Sequence, residues 1–202
     1  MGYGKEAMPP HNLALTMVGA SMLWFGWFGF NAGSALAANS TAALAFATTT
    51  VASAAAMLTW IFFDRLHGRK VSALGACVGA VVGLVAITPA AGFISIPQSI
   101  FFGFIAAIVS NKMLYWKKLK SIDDTLDVFA CHGVGGIMGM ILTAIFAEGE
   151  NASLLHGGWS VFGHHMAALI LVAGFTPAAT QTDLERVRPI PKMLCKPTQT
   201  CF

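Results

Sequence analysis

Thr41–Lys70 reads TAALAFATTTVASAAAMLTWIFFDRLHGRK. Thr41–Phe63 holds no charged residue, whereas the closing Asp64-Arg65-Leu66-His67-Gly68-Arg69-Lys70 is dense in charge. A helix that crosses a bilayer needs ~20 mostly apolar residues at ~1.5 Å rise each, and Thr41–Phe63 supplies them. A transmembrane barrel strand would alternate apolar and polar over ~10 residues, and this run does not alternate. The stretch therefore predicts a membrane helix that stops at a basic break.

The same pattern recurs on both sides. Leu13–Leu36 precedes it, and Val71–Ala91 and Pro97–Trp116 follow, the last interrupted only by Asn111 and Lys112 near its end. Pro97 suits a first helical turn. Leu126–Ala147 comes next, preceded by Asp123 and Asp124 and with Asp127 in its first turn, where carboxylates favour a helix N-terminus. A shorter run, Val161–Phe175, comes last, and Pro177 is expected to end it. The expected fold is all-α: a polytopic membrane bundle of about six spans over residues 1–175, with 176–202 as a separate tail.

Composition agrees. Of 202 residues, 56% are hydrophobic and 10% charged, against roughly 25% charged in a soluble domain; mean hydropathy is +0.69. Disorder needs the opposite balance. A net charge of +3 makes no dense basic patch, so nucleic acid is not an expected partner; membrane lipid is. No nucleophile–base pair, phosphate loop or metal-spaced Cys/His cluster points to an enzyme or a cofactor.

Charge also orients the chain. Arg65, Arg69 and Lys70 follow the second span, and Lys117, Lys118 and Lys120 the fourth; Lys112 can snorkel to the same side. Lys5 precedes the first span, and Arg186, Arg188, Lys192 and Lys196 follow the sixth. All 12 basic residues thus fall on one side of a six-span arrangement. The positive-inside rule makes that side cytoplasmic, with both termini inside. Small-residue ridges at spacing four, Gly75/Gly79/Gly83, Gly29/Gly33 and Gly135/Gly139, suit closely packed membrane helices.

Polar groups inside the membrane are costly and mark function. Of six histidines, His132 alone sits inside a strong span, with Val128 one turn before it. Its imidazole can accept at one nitrogen and donate at the other; the plainer alternative is a packed histidine bonded to a carbonyl. In the first span Leu23, Phe30 and Ser34 share a face that runs apolar, aromatic, hydroxyl toward the outer end. An aromatic face attracts a small cation and a hydroxyl can accept its hydrogen bond; an interfacial aromatic belt is the alternative.

Three stretches resemble signatures of the ammonium transporter family (Amt/Mep/Rh): Gly26–Ala38 (GWFGFNAGSALAA), Leu74–Pro89 (LGACVGAVVGLVAITP) and Asp123–Gly139 (DDTLDVFACHGVGGIMG). The wording is closest to the bacterial and plant-type transporters, and the likeness runs from about residue 3 to about 165. Family members have eleven membrane helices in two inverted halves, and this chain is similar to the sixth helix onward. The resemblance implies that Phe30 is one of two stacked phenylalanines at the outer mouth and that Ser34 is the hydroxyl of the outer ammonium site. It implies that His132 is the second of twin pore histidines, and that Leu23, Val81 and Val128 line the apolar pore. Asp123, Asp124 and Asp127 match the cytoplasmic start of the tenth helix. The implied cargo is ammonium or ammonia, with methylammonium as analogue, in the plasma (inner) membrane. The implied assembly is a homotrimer with a PII-type regulator on its cytoplasmic face.

The departures are equally specific. The first five helices, with the first pore histidine, have no counterpart here, and Thr176–Phe202 does not resemble the family's basic tail. The chain is accordingly expected to be a fragment, by truncation or frameshift, that does not conduct alone. The alternatives are one half of a split assembly and a Rh-type gas channel.

Overall fold

The computed structural model describes residues 9–119, 124, 126–148 and 153–187. Helix α1 is Leu13–Gly33, α2 Ser40–Leu66, α3 Ala73–Ile87 and α4 Ile96–Leu119. A π-helical turn, Phe129–Gly133, leads into α5, Val134–Phe146, and a single 3-10 turn, Leu154–His156, precedes α6, Trp159–Val187. There is no strand among the described residues. Among the described residues five helical stretches are long and apolar enough to cross a membrane, and α3 is a shorter apolar helix. The protein is an all-helical, multi-pass membrane bundle.

Polar residues in the links start the helices. Asn12 accepts the N–H of Leu15 at 3.0 Å, Asn39 that of Ala42 at 2.9 Å, and Ser72 that of Gly75 at 3.0 Å. Each satisfies one of the four N–H groups that a helix start leaves without a partner.

Helices α2, α3 and α4 form the packed centre. Between apolar helices in lipid, packing and hydrogen bonds replace the hydrophobic effect as the force that holds them together. A Cβ on Gly79 would lie 2.6 Å from the Cβ of Trp60, and one on Gly83 would lie 2.6 Å from the Ala52 carbonyl oxygen. The expected glycine ridge of α3 is thus the seam against α2. Ser53 adds a hydrogen bond to the Ala80 carbonyl at 2.9 Å across that seam. Gly139 meets the backbone of Ala86 and brings α5 onto α3. Gly29 and Gly33 have no atom within 4 Å of where a Cβ would stand, so that ridge packs against nothing among the described residues.

Two spans differ from expectation. The third, expected over Val71–Ala91, is helical only for the 15 residues of α3, ~22 Å and short of a full crossing. Pro89 has no N–H to continue the ladder. The chain instead turns through Ala90 and Phe93, whose N–H groups bond the carbonyls of Ile87 and Ala90 at 2.9 Å each. Ala90, Ala91 and Ile94 are buried there, and irregular backbone is tolerated at membrane depth where protein covers it.

The sixth span is longer than expected. Helix α6 runs through Pro177 to Val187, so the expected break at this proline is corrected. A proline inside a membrane helix forfeits one ladder bond while the surrounding backbone remains satisfied. Residues 176–187 therefore continue the bundle's last helix, and the rest of the expected tail lies outside the described residues.

At one end of the bundle, Asp64 of α2 is 6% exposed, and its Oδ1 accepts two hydrogen bonds. Arg69 donates to it at 3.3 Å and Asn111 of α4 at 3.0 Å. Arg69 also donates to the Asn111 carbonyl oxygen at 2.8 Å, and its guanidinium lies 3.2 Å over the Tyr115 ring. This cluster ties the α2–α3 link to α4. Lys112 is at the same end, 5.9 Å over the Phe63 ring. The opposite end is tied by Glu148, whose N–H bonds the Phe93 carbonyl at 2.7 Å and whose carboxylate accepts from Gln98 at 3.0 Å.

Candidate pore site

Helices α1 and α5 both pack against α3 and not against each other. The expected pore residues are therefore spread over three elements with α3 in the middle. Leu23 and Phe30 belong to α1 and Ser34 to its C-cap, half-buried Val81 to α3, His132 to the π-turn that leads into α5, and Val128 to the residue before that turn. Those on α1 and α5 share one property: they are open. Phe30 is 60% exposed, Val128 50% and Leu23 46%, and Ser34 and His132 are also exposed. An apolar side chain on a membrane helix faces lipid, another chain or a lumen, so exposure alone does not choose among them.

The Gly33 end of α1 is anchored by residues that the sequence reading did not single out. Asn31, buried, donates to the Thr49 hydroxyl of α2 at 3.0 Å. Trp27 donates to the Thr88 hydroxyl at the end of α3 at 2.9 Å. The Phe30 ring packs edge-on to Trp27, with centroids 5.8 Å apart. Asn31 and Trp27 thus fix the rotation of α1, which leaves Phe30 and Ser34 on the open side. The Ser34 hydroxyl donates to the Phe30 carbonyl at 2.6 Å, which spends its proton and leaves its lone pairs to accept. Phe30, Asn31, Ser34, Thr41 and Thr88 line one cavity of about 180 Å³ at this end.

The start of α5 is built around Asp124. Its two carboxylate oxygens accept from the N–H groups of Val128 and Phe129, each at 2.9 Å, a charge-assisted cap at a helix N-terminus. Asp127 adopts φ 57°, unusual for a residue with a Cβ, and its carbonyl accepts from Cys131 at 3.0 Å. Asp123 lies outside the described residues. In the π-turn that follows, the Val134 N–H reaches back to the Phe129 carbonyl. Gly133 permits this turn: a Cβ there would lie 3.1 Å from the Phe129 ring. The turn keeps Ala130 and Cys131 buried and leaves Val128 and His132 exposed. Such π-turns recur at functional positions in helices, but apolar periodicity cannot reveal one.

His132 lines a second concavity, about 520 Å³, between α5 and α6, with Phe129, Met140, Leu169, Val172 and Pro177 among its walls. Leu23, Val81 and Val128 line neither this cleft nor the cavity beside Phe30 and Ser34. The structure thus groups Phe30 with Ser34, and His132 with α6, without joining the two in a closed lumen. No cluster of His, Cys, Asp or Glu suited to a metal occurs among the described residues.

The Ammonium Transporter Family model matches residues 2–193. The chain belongs to the ammonium transporter family. It is 51% identical over 162 residues to an ammonium transporter of Aquifex aeolicus, covering 78% of this chain and 38% of that protein. It is 41% identical over 181 residues to ammonium transporter Amt1 of Archaeoglobus fulgidus, covering 88% and 45%. The fold is similar to the crystal structure of Candida albicans Mep2, with a TM-score of 0.86 and 35% identity, covering 93% of this chain and 44% of Mep2. The chain thus spans less than half the length of these relatives. The family match reaches well past residue 165 into the stretch expected to depart from it. Its members are transporters rather than enzymes.

Proposed function

We propose that this chain supplies one wall of an ammonium-conducting pore, the other wall coming from the portion that its longer relatives carry beyond the matched region. What supports this reading is the family match over residues 2–193 taken with the exposure of Leu23, Phe30 and Ser34 along α1 and its C-cap and of Val128 and His132 at the turn into α5, two helices held apart by α3. Phe30 and Ser34 offer an incoming ammonium ion a ring face and a hydroxyl acceptor. Carrying the bare cation through the membrane centre is costly. Ammonium is therefore at least partly deprotonated, its proton passing to water or to the histidine chain, and ammonia continues past Leu23, Val81 and Val128. His132, with a second histidine from the other wall, accepts and donates hydrogen bonds along the way. Potassium has no proton to lose and is rejected.

On this reading the 202 residues do not conduct alone, because neither the lumen nor the histidine pair is complete. On the same reading the side that carries the basic residues is cytoplasmic, with both termini there, and the membrane is the plasma (inner) membrane, as the family resemblance implies. The assembled transporter is a trimer that meets a PII-type regulator at its cytoplasmic face, on the side where Asp124 and Asp127 precede the π-turn into α5. Liposomes containing the purified chain test the incomplete pore. No saturable methylammonium flux is expected, and saturable flux would refute it. A split assembly is the second reading, favoured by the same open faces; co-purification of a separate five-helix polypeptide distinguishes it.

A further inference from the structure

Gly75, Gly79 and Gly83 form one ridge of α3, but the ridge changes character at its basic end. A Cβ on Gly79 or Gly83 would strike α2 at 2.6 Å. A Cβ on Gly75 would instead meet three polar side-chain atoms: Ser72 Oγ at 3.2 Å, Trp60 Nε1 at 3.4 Å and Asp64 Oδ2 at 3.5 Å. The helix cap, an indole and a carboxylate thus converge on the space over one glycine that carries no side chain.

Trp60 and Asp64 are four residues apart on α2 and so share a face; they are 3% and 6% exposed. The indole nitrogen can only donate, and among the described residues it donates to no acceptor. Asp64 takes its hydrogen bonds from Arg69 and Asn111 on Oδ1, so Oδ2 accepts from no described residue. Ser72 Oγ accepts from the Gly75 N–H at 3.0 Å and has a second lone pair. Buried donors and acceptors are costly when left unpaired. Ser72 is exposed, so the space is reached from solvent at the basic end of the bundle.

The three atoms also select their ligand. A cation would suit Asp64 Oδ2 but meets the positive end of the indole N–H dipole, with the Arg69 guanidinium already on the same carboxylate. An anion would suit the indole but meets the carboxylate. A small neutral molecule that both accepts and donates serves all three, and buried waters make about three such bonds to groups otherwise unsatisfied.

We propose that one structural water is bound over Gly75, accepting from the Trp60 indole N–H and donating to Asp64 Oδ2 and Ser72 Oγ. The water joins α2 to the start of α3 where the glycine ridge no longer packs backbone against backbone. The site is apart from the pore residues of α1 and α5 and does not depend on conduction.

The test uses the purified full chain in detergent, with nitrogen-15 at the indole nitrogens of its tryptophans and the Trp60 signal identified by its loss in Trp60→Phe. Cross-relaxation between the Trp60 indole proton and a water proton is expected, separated from proton exchange by the sign of the rotating-frame peak. In Gly75→Ala the added methyl takes the space, and the cross-peak is expected to vanish. The folding equilibrium constant of Gly75→Ala should also fall, by about ten-fold, because unpaired buried groups outweigh the helix preference of alanine. No cross-relaxation in the unsubstituted chain, an equal cross-peak in Gly75→Ala, or a gain of stability in Gly75→Ala would each overturn the site.

Discussion

Asp124 and Phe129 are joined by a 2.9 Å hydrogen bond from the backbone N–H of Phe129 to one carboxylate oxygen, while the other oxygen holds the N–H of Val128. That cap sets the start of the π-turn, and the turn sets which side of α5 carries His132. Replacing Asp124 by Ala is expected to cost about 1 kcal/mol in thermal denaturation of the purified chain. Asp124→Asn, which keeps one acceptor oxygen, retains most of the stability. Equal stability of Asp124→Ala and the parent would show that the cap does not hold the turn.

The buried cluster at the basic end gives a second expectation. Asp64→Ala leaves the Asn111 amide without its acceptor and Arg69 without its carboxylate, and about 2 kcal/mol of stability should be lost. Asp64→Ala combined with Arg69→Leu should lose less than the sum of the two single changes, since removing both partners avoids an orphaned charge. A double-mutant cycle in chemical denaturation checks this. Strict additivity would mean that the contact contributes nothing.

The glycines separate packed seams from an open one. Gly83→Val drives a side chain into the backbone of α2 and is expected to destabilise the chain by about 1–3 kcal/mol. Gly29→Ala meets nothing within 4 Å and should raise the stability of the isolated chain slightly, because alanine is the better helix former by up to ~1 kcal/mol. In the complete transporter the same Gly29→Ala change should lower activity or assembly if another helix lies on that ridge. Thermal denaturation of the chain and uptake by the complete protein read the two outcomes separately.

Much of this architecture is legible in the apolar runs and their breaks. Thr41–Lys70 alone states a membrane helix and its basic end, and α2 ends at Leu66 within that break. Asn12, Asn39 and Ser72 stand where helix starts need side-chain acceptors. Hydropathy failed where backbone detail decides. The apolar run Val71–Ala91 continues past the point at which Pro89 ends the ladder, and a buried turn is as apolar as a helix. Pro177 reads as a stop in water but not in a membrane helix. Asn31 and the π-turn were invisible for related reasons: a single buried amide looks like any polar residue in a span, and one extra residue in a turn leaves the composition unchanged. Which side of α1 stays exposed could not be read without knowing which side Asn31 and Trp27 fasten down.

The outer mouth can be examined separately from the pore centre. Ser34→Ala removes the acceptor lone pairs offered to the cation while the aromatic face of Phe30 stays. Apparent methylammonium affinity in the complete transporter should weaken about five-fold, the worth of one hydrogen bond of ~1 kcal/mol. Maximal rate should change less. An affinity unchanged by Ser34→Ala would remove this hydroxyl from the recognition site.

The most direct measurement is methylammonium uptake, with potassium competition, by the full-length transporter containing these residues, compared with its His132→Ala variant. Reduced uptake or lost discrimination against potassium is expected if His132, exposed in the π-turn before α5, belongs to the proposed hydrogen-bonding path. Uptake rate and ion selectivity both unchanged in His132→Ala would contradict the pore assigned to this face.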